Sequence, residues 1–70
     1  MERALKALAN ATRLRILHAI ALQPSATVSE ICERIGMKPQ AVSNQLQRLA
    51  NSGIVSGERD GQNMRYRLVD

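Results

Sequence analysis

Five uncharged polar side chains recur at helical spacing in the second half of the chain. They are Gln40, Ser43, Asn44 and Gln47, with Asn51 one turn further on. The spacing i, i+3, i+4 and i+7 places the first four on one face of a helix. Asn and Gln amides can pair bidentately with adenine in the major groove of DNA, and a Ser hydroxyl can bond to bases or phosphates. We therefore predict that this polar face recognises base edges; the alternative is an ordinary solvated surface.

Basic residues flank the polar face and recur near the end of the chain. Lys38 precedes it and Arg48 lies on its flank, where each could bind phosphate and fix register without reading sequence. A second set clusters at or near the tip of a predicted hairpin and consists of Arg59, Gln62, Asn63 and Arg65. Such a hairpin can reach the adjacent DNA backbone or minor groove, where Arg is favoured. The alternative is a hairpin that only covers the core.

Turn residues and apolar spacing predict the elements that position these side chains, namely four helices followed by a two-stranded hairpin. One side of the first helix is formed by Ala4, Leu5, Leu8 and Ala9. Asn10 fits the N-cap of the second helix, which ends before Pro24. The apolar stripe of this second helix is predicted to be Leu14, Leu17, Ile20 and Ala21.

Two short helices joined by a tight turn follow, an arrangement typical of a helix-turn-helix. Thr27 and Glu30 have capping-box spacing at the start of the first, and Gly36 fits its end. Pro39 suits the first position of the other helix, predicted over residues 39–52, because its missing N–H costs nothing there. The buried side chains of the two helices are expected to be Ile31, Ile35, Val42, Leu46 and Leu49.

After Gly53 the apolar period changes from about 3.6 to 2, which is typical of a half-buried strand. The alternating apolar residues are Met64, Tyr66 and Leu68. Residues 54–59 are the predicted partner strand, and residues 60–63 the turn, in which Gly61 supplies a positive φ.

The composition is that of one small basic domain over residues 1–70. The chain has 10 Lys and Arg against 6 Asp and Glu, and its net charge of +4 favours a polyanionic partner. Hydrophobic residues make up 44% of the chain, enough for a core. Tyr66 is the only aromatic residue, which excludes the aromatic stacking platforms that hold single-stranded nucleic acid.

Several other classes of protein are excluded. The longest uncharged stretch, residues 16–29, contains Pro24 and several polar residues and cannot span a bilayer; the N-terminus does not resemble a signal peptide. The single cysteine, Cys32, suits a reducing cytoplasm, and one cysteine and one histidine are too few for a zinc site. Without a Ser-His-Asp set or a glycine-rich phosphate loop, we expect no enzyme activity and no cofactor.

Five blocks of sequence occur in a characteristic order along nearly the whole chain. They are LKALANATRLRIL at 5–17, EICERIG at 30–36, QAVSNQL at 40–46, LANSGIV at 49–55, and DG at 60–61 followed by YRL at 66–68. Together they resemble the winged-helix repressors of the ArsR/SmtB family. The resemblance implies a mainly α fold with a β-wing, and a cytoplasmic, dimeric regulator of transcription that binds double-stranded DNA. It implies a helix-turn-helix over about 28–52 and a wing over about 54–69 that touches DNA.

Two features depart from the family pattern. Metal-sensing members have two cysteines where this chain has Thr27 and Ser29, so that metal site is absent. Cys32 has no second cysteine as a partner and is expected to be a small apolar residue, and His18 a surface or core-edge residue. The family also continues past the wing into a helix that pairs across the dimer, whereas this sequence stops at Asp70. A monomer is therefore the alternative to a homodimer, and a module that binds another protein is the alternative function.

Overall fold

Residues 2–69 form three helices and a three-stranded antiparallel sheet. A computed structural model describes the backbone of these residues and the side chains of residues 9–69. The elements in chain order are α1 (Glu2–Leu22), β1 (Ala26–Thr27), α2 (Val28–Ile35), α3 (Pro39–Asn51), β2 (Val55–Asp60) and β3 (Asn63–Leu68). No helix in this described part is both long enough and apolar enough to cross a membrane.

The prediction of two separate helices before Pro24 is wrong. Asn10 is not an N-cap but lies inside α1, which runs unbroken from Glu2 to Leu22. An Asn inside a helix costs less than about 1 kcal/mol, and the neighbouring Ala, Leu and Arg residues favour the helix. The Asn10 side chain points into solvent, where its Oδ1 accepts a hydrogen bond from Arg13 Nη2 at 2.9 Å. It therefore does not compete with the helix for backbone hydrogen bonds.

The buried face of α1 also differs from the predicted stripe. Within residues 9–22 of this helix, the buried side chains are Ile16, Ala19 and Ile20. Leu17 packs against the core as predicted, but Leu14 is 68% exposed and Ala21 also lies in solvent. Apolar residues of α1 lie on all sides of its axis, so their period alone does not determine which face is buried. The buried face is determined by packing against α2 and α3. The other predicted inward side chains, Ala4, Leu5 and Leu8, lie outside the described residues.

The predicted capping box is confirmed and begins α2. Glu30 N–H donates to Thr27 Oγ1 at 3.2 Å, and Thr27 N–H donates to Glu30 Oε1 at 2.8 Å. The hydrogen bond from the Thr27 backbone is the main cause that lowers the pKa of Glu30 below its ordinary value. Gly36 ends the helix with a φ of +69°, and its N–H donates to the Cys32 C=O at 2.8 Å.

The aliphatic stripe predicted for α3 is confirmed as the anchor of that helix. Val42 and Leu46 are 0% exposed and Leu49 is 2% exposed. They share one core with Ile16, Ile20 and Ile31, whereas Ile35 packs at its edge. Pro39 occupies the first turn as predicted, and the helix ends at Asn51, one residue before the predicted end.

The predicted hairpin is confirmed, with β2 shifted one residue toward the C-terminus. β2 and β3 pair antiparallel from Val55 opposite Leu68 to Asp60 opposite Asn63. Gly61, at the first position of the two-residue turn, has a φ of +64°, as such hairpin turns require. Of the alternating apolar residues of β3, Met64 and Tyr66 are half-buried as predicted, whereas Leu68 is 40% exposed.

A third strand, which the sequence did not predict, joins the hairpin. Ala26 and Thr27 of β1 pair with Tyr66 and Arg65 of β3, so β3 is the central strand. Ser25, just before β1, has a φ of +68°, and its N–H donates to the Tyr66 C=O at 3.0 Å. A strand of two residues has no period of its own and forms only because β3 lies beside it.

Thr27→Ala should lower the free energy of unfolding by about 1 kcal/mol, because the first turn of α2 loses its capping oxygen. Urea unfolding followed by circular dichroism measures this difference. The control is Ser29→Ala, which removes an exposed hydroxyl from the same turn. Equal losses in the two variants would contradict a special role for the cap.

Candidate nucleic-acid interface

The polar face predicted from the sequence is exposed along α3. All five of its members, Gln40, Ser43, Asn44, Gln47 and Asn51, lie at the surface. The opposite side of the helix holds the fully buried Val42 and Leu46, so the polar face cannot turn inward. The helix carries no acidic residue, so it has no carboxylate that would repel a phosphate. A helix with such a face has the dimensions and the hydrogen-bonding groups needed in the major groove.

Lys38 is the N-cap of α3, an unfavourable position for a lysine. Its side chain makes no capping hydrogen bond, and the first turn holds no acidic residue. Lys38 therefore places a positively charged residue at the positive end of the helix dipole, where its side chain does not cap the backbone N–H groups. This combination attracts phosphate. Arg48, in the last turn of the same helix, is exposed as well.

The wing, which is the β2–β3 hairpin, presents three of its predicted residues to solvent. Arg59, Gln62 and Asn63 are exposed at or next to its tip. The wing follows directly from α3, because the Ile54 N–H donates to the Leu49 C=O at 2.9 Å and β2 packs against α3. The structure thus places the wing on a strand that packs against the helix carrying the polar face.

Arg65 differs from the other predicted contact residues because its guanidinium is bonded within the protein. Its Nε donates to Asp60 Oδ2 at 2.7 Å, and its Nη1 donates to the Ser25 C=O at 3.0 Å. Glu30 Oε1 lies 3.8 Å from the same Nη1. The hydrogen bond to Asp60 raises the pKa of Arg65. The contacts with Ser25 and Glu30 join residues far apart in the chain, and no sequence signal pointed to them.

Arg67 is an exposed cation that the sequence analysis left out of the predicted set. It lies opposite Ser56 on the face of the sheet that also carries Arg65. The sequence does contain a signal for this position, because Arg65 and Arg67 alternate with Met64, Tyr66 and Leu68 and so share one face of the strand.

The remaining candidate residues show no sign of a chemical site. Cys32 is 8% exposed, and burial raises the pKa of its thiol, so it behaves as the small apolar residue that was predicted. His18 is exposed on α1. Within residues 9–69, no three His, Cys, Asp or Glu side chains are grouped so that they could hold a metal ion.

These features define a winged helix-turn-helix domain: α2, a tight turn, an exposed polar helix, and a β-hairpin beside it. A model of the MarR family matches residues 10–65, and the chain belongs to that family.

The chain is also similar to individual regulators. It is 44% identical over 66 residues to the HTH-type transcriptional regulator NmtR of Mycobacterium tuberculosis, covering 94% of this chain and 54% of NmtR. The crystal structure of AntR, described as an antimony-specific transcriptional repressor, is 55% identical with a TM-score of 0.82, covering 94% of this chain and 60% of AntR. These relatives are transcriptional regulators, not enzymes.

A third similar structure is a homodimeric winged helix-turn-helix DNA-binding domain, Mb0332 of Mycobacterium bovis. It is 38% identical with a TM-score of 0.79, covering 99% of this chain and 63% of that one. The present chain spans about half the length of the curated relatives that it matches.

Gly57→Ala should destabilise the wing by about 1 kcal/mol, since overpacking displaces neighbouring side chains. A Cβ at this position would lie 2.8 Å from Tyr66 Cε1 and 3.1 Å from Met64 Cε, so the ring must move. Urea unfolding gives the loss, and Ser56→Ala, at the preceding exposed position, is the control. A Gly57→Ala protein as stable as the control would show that the wing accommodates the methyl group.

Proposed function

We propose that this chain is the DNA-binding part of a sequence-specific transcriptional repressor of the ArsR/SmtB type. The observation that carries the proposal is the exposed amide-and-hydroxyl face of α3, whose opposite side is fully buried. Amides and hydroxyls discriminate among bases, whereas a helix that is only solvated usually carries Lys and Glu. The similarity to Mb0332, described as a possible ArsR-family transcriptional regulator, supports the ArsR/SmtB type. The similarity to NmtR and to AntR supports a role in transcriptional regulation.

The proposed contacts divide into two kinds. Direct contacts to base edges come from Gln40, Ser43, Asn44 and Gln47. Contacts to phosphate or to the minor groove come from Lys38, Arg48, Arg59, Gln62 and Asn63. The first kind supplies specificity, and the second supplies affinity and register.

A homodimer is the proposed functional assembly. One α3 helix covers only a half-site, and a two-fold dimer places two such helices about one DNA turn apart. Mb0332 is homodimeric, and Leu14 and Leu22 of α1 are 68% and 58% exposed here, which leaves apolar surface for a second copy. Sedimentation equilibrium of the chain, alone and with its selected duplex, tests this assembly.

The first experiment selects bound duplexes from a random pool and measures the affinity of the enriched duplex and of a scrambled duplex against salt. We expect a preferred sequence and a log–log slope of about −0.9 per phosphate contact. Weak binding without sequence preference would overturn the proposal and favour the protein-binding alternative.

Asn44→Ala should weaken binding to the selected duplex by about 1–3 kcal/mol and relax base preference at one position of each half-site. The physical reason is the loss of one bidentate amide contact. Gln45→Ala, on the same helix but off the polar face, should leave base preference unchanged. An equal loss on every duplex would assign Asn44 to the DNA backbone instead.

Lys38→Ser should stabilise the fold and weaken DNA binding at the same time. A serine at the N-cap supplies a capping oxygen and removes a charge from the positive helix end, which together contribute about 1 kcal/mol. The salt slope should become less steep by about 0.9, because one phosphate contact is lost. Lys38→Arg keeps the charge and should retain the slope. A Lys38→Ser protein with wild-type affinity would exclude this residue from the interface.

A further inference from the structure

Arg65 lies at the centre of a polar network that connects three separate segments of the chain. Its Nε donates to Asp60 at the end of β2 at 2.7 Å, and its Nη1 donates to the C=O of Ser25 at 3.0 Å, just before β1. The same Nη1 lies 3.8 Å from a carboxylate oxygen of Glu30 in the first turn of α2. One side chain therefore ties the end of the wing to the start of the helix-turn-helix.

Two of the partners of Arg65, Glu30 and Ser25, are themselves held in place by other contacts. The carboxylate of Glu30 accepts from the Thr27 N–H at 2.8 Å and from Gln23 Nε2 at 2.8 Å. Ser25 has a φ of +68°, a conformation uncommon outside glycine, and its N–H is bonded to the Tyr66 C=O. This backbone conformation presents the Ser25 carbonyl to the guanidinium. Arg65 therefore meets two acceptors, on Glu30 and Ser25, that other contacts hold in place.

The charge around Arg65 argues against a contact with phosphate. Asp60 and Glu30 are both within ion-pair distance, so the group of three side chains carries a net negative charge at neutral pH. Glu58, which lies opposite Arg65 in the β2–β3 ladder, adds another carboxylate on the same face. A phosphate would have to displace Asp60 or approach these carboxylates. Lys38 and Arg59, by contrast, have no ion pair among the described residues.

We propose that Arg65 is a positioning residue that sets the orientation of the wing relative to the helix-turn-helix and does not itself contact DNA. The expected effect of Arg65 on DNA binding rests on the proposed function, but the network itself exists without DNA. An arginine is required because its planar fork reaches Asp60 and Ser25 at once, whereas a lysine ammonium on a flexible stem cannot hold both.

The first test needs no DNA. Hydrogen exchange of the Ser25 amide, which donates to β3, is measured by NMR for Arg65→Gln, Arg65→Lys and Asp60→Asn. We expect exchange about two- to fivefold faster in all three, the range for a partly exposed ion pair, with the double variant Arg65→Gln/Asp60→Asn no faster than either single one. Arg67→Gln, which removes a neighbouring exposed charge from the same strand, should have no effect. Wild-type exchange in Arg65→Lys and Asp60→Asn would overturn the proposal.

The second test uses the duplex selected above and separates positioning from direct contact. A positioning residue predicts that Arg65→Gln and Asp60→Asn both weaken binding about two- to fivefold with the salt slope unchanged. A phosphate contact predicts a different result for each variant. Arg65→Gln would make the salt slope less steep by about 0.9, and Asp60→Asn would tighten binding because it frees the guanidinium. That second pattern would overturn the proposal. If no duplex is bound, the proposed function fails, and the exchange experiment still decides the role of Arg65.

Discussion

Burial of the aliphatic stripe of α3 is the constraint on which the rest of the structure depends. Val42, Leu46 and Leu49 pack into one core with residues of α1 and α2. Exposing a single such side chain costs about 1.5–3 kcal/mol. Rotating α3 about its axis would expose all three, at a cost comparable to the whole free energy of unfolding of a domain of this size. The polar face is therefore held outward, and its side chains are presented at a fixed spacing. Recognition of base edges requires this kind of fixed presentation.

Two of the residues whose side chains are described, Lys38 and Ser25, depart from local preferences, and both lie where function is proposed. Lys38 replaces a capping residue at the start of α3, and Ser25 adopts a backbone conformation with φ of +68° beside the wing. The Thr27–Glu30 capping box and Gly36, by contrast, follow local preferences closely. Departures of this kind persist when the surrounding structure compensates for them and when they serve binding or positioning.

The three-stranded sheet gives the wing a second attachment to the body. The wing is joined to α3 through the short connection at Ile54. Its strand β3 also pairs with β1, which belongs to the segment between α1 and α2. The Arg65 network adds polar contacts at the same junction. Because the wing and the polar face would meet the same duplex, the angle between them decides which DNA geometry both can contact together.

Much of the fold and most of the candidate site could be predicted from the sequence, because the signals are local. Each of these signals acts within a few residues. They are the capping box, the glycine that ends α2, the proline that begins α3, the period of Val42, Leu46 and Leu49, and the turn at Gly61. The polar face follows from the same helical period.

The features that only the tertiary structure decided depend on contacts between distant segments. The buried face of α1 is chosen by the elements packed against it, and β1 exists only beside β3. The contacts of the Arg65 side chain with Ser25 and Glu30 likewise join distant segments, and no local pattern in the sequence encodes them.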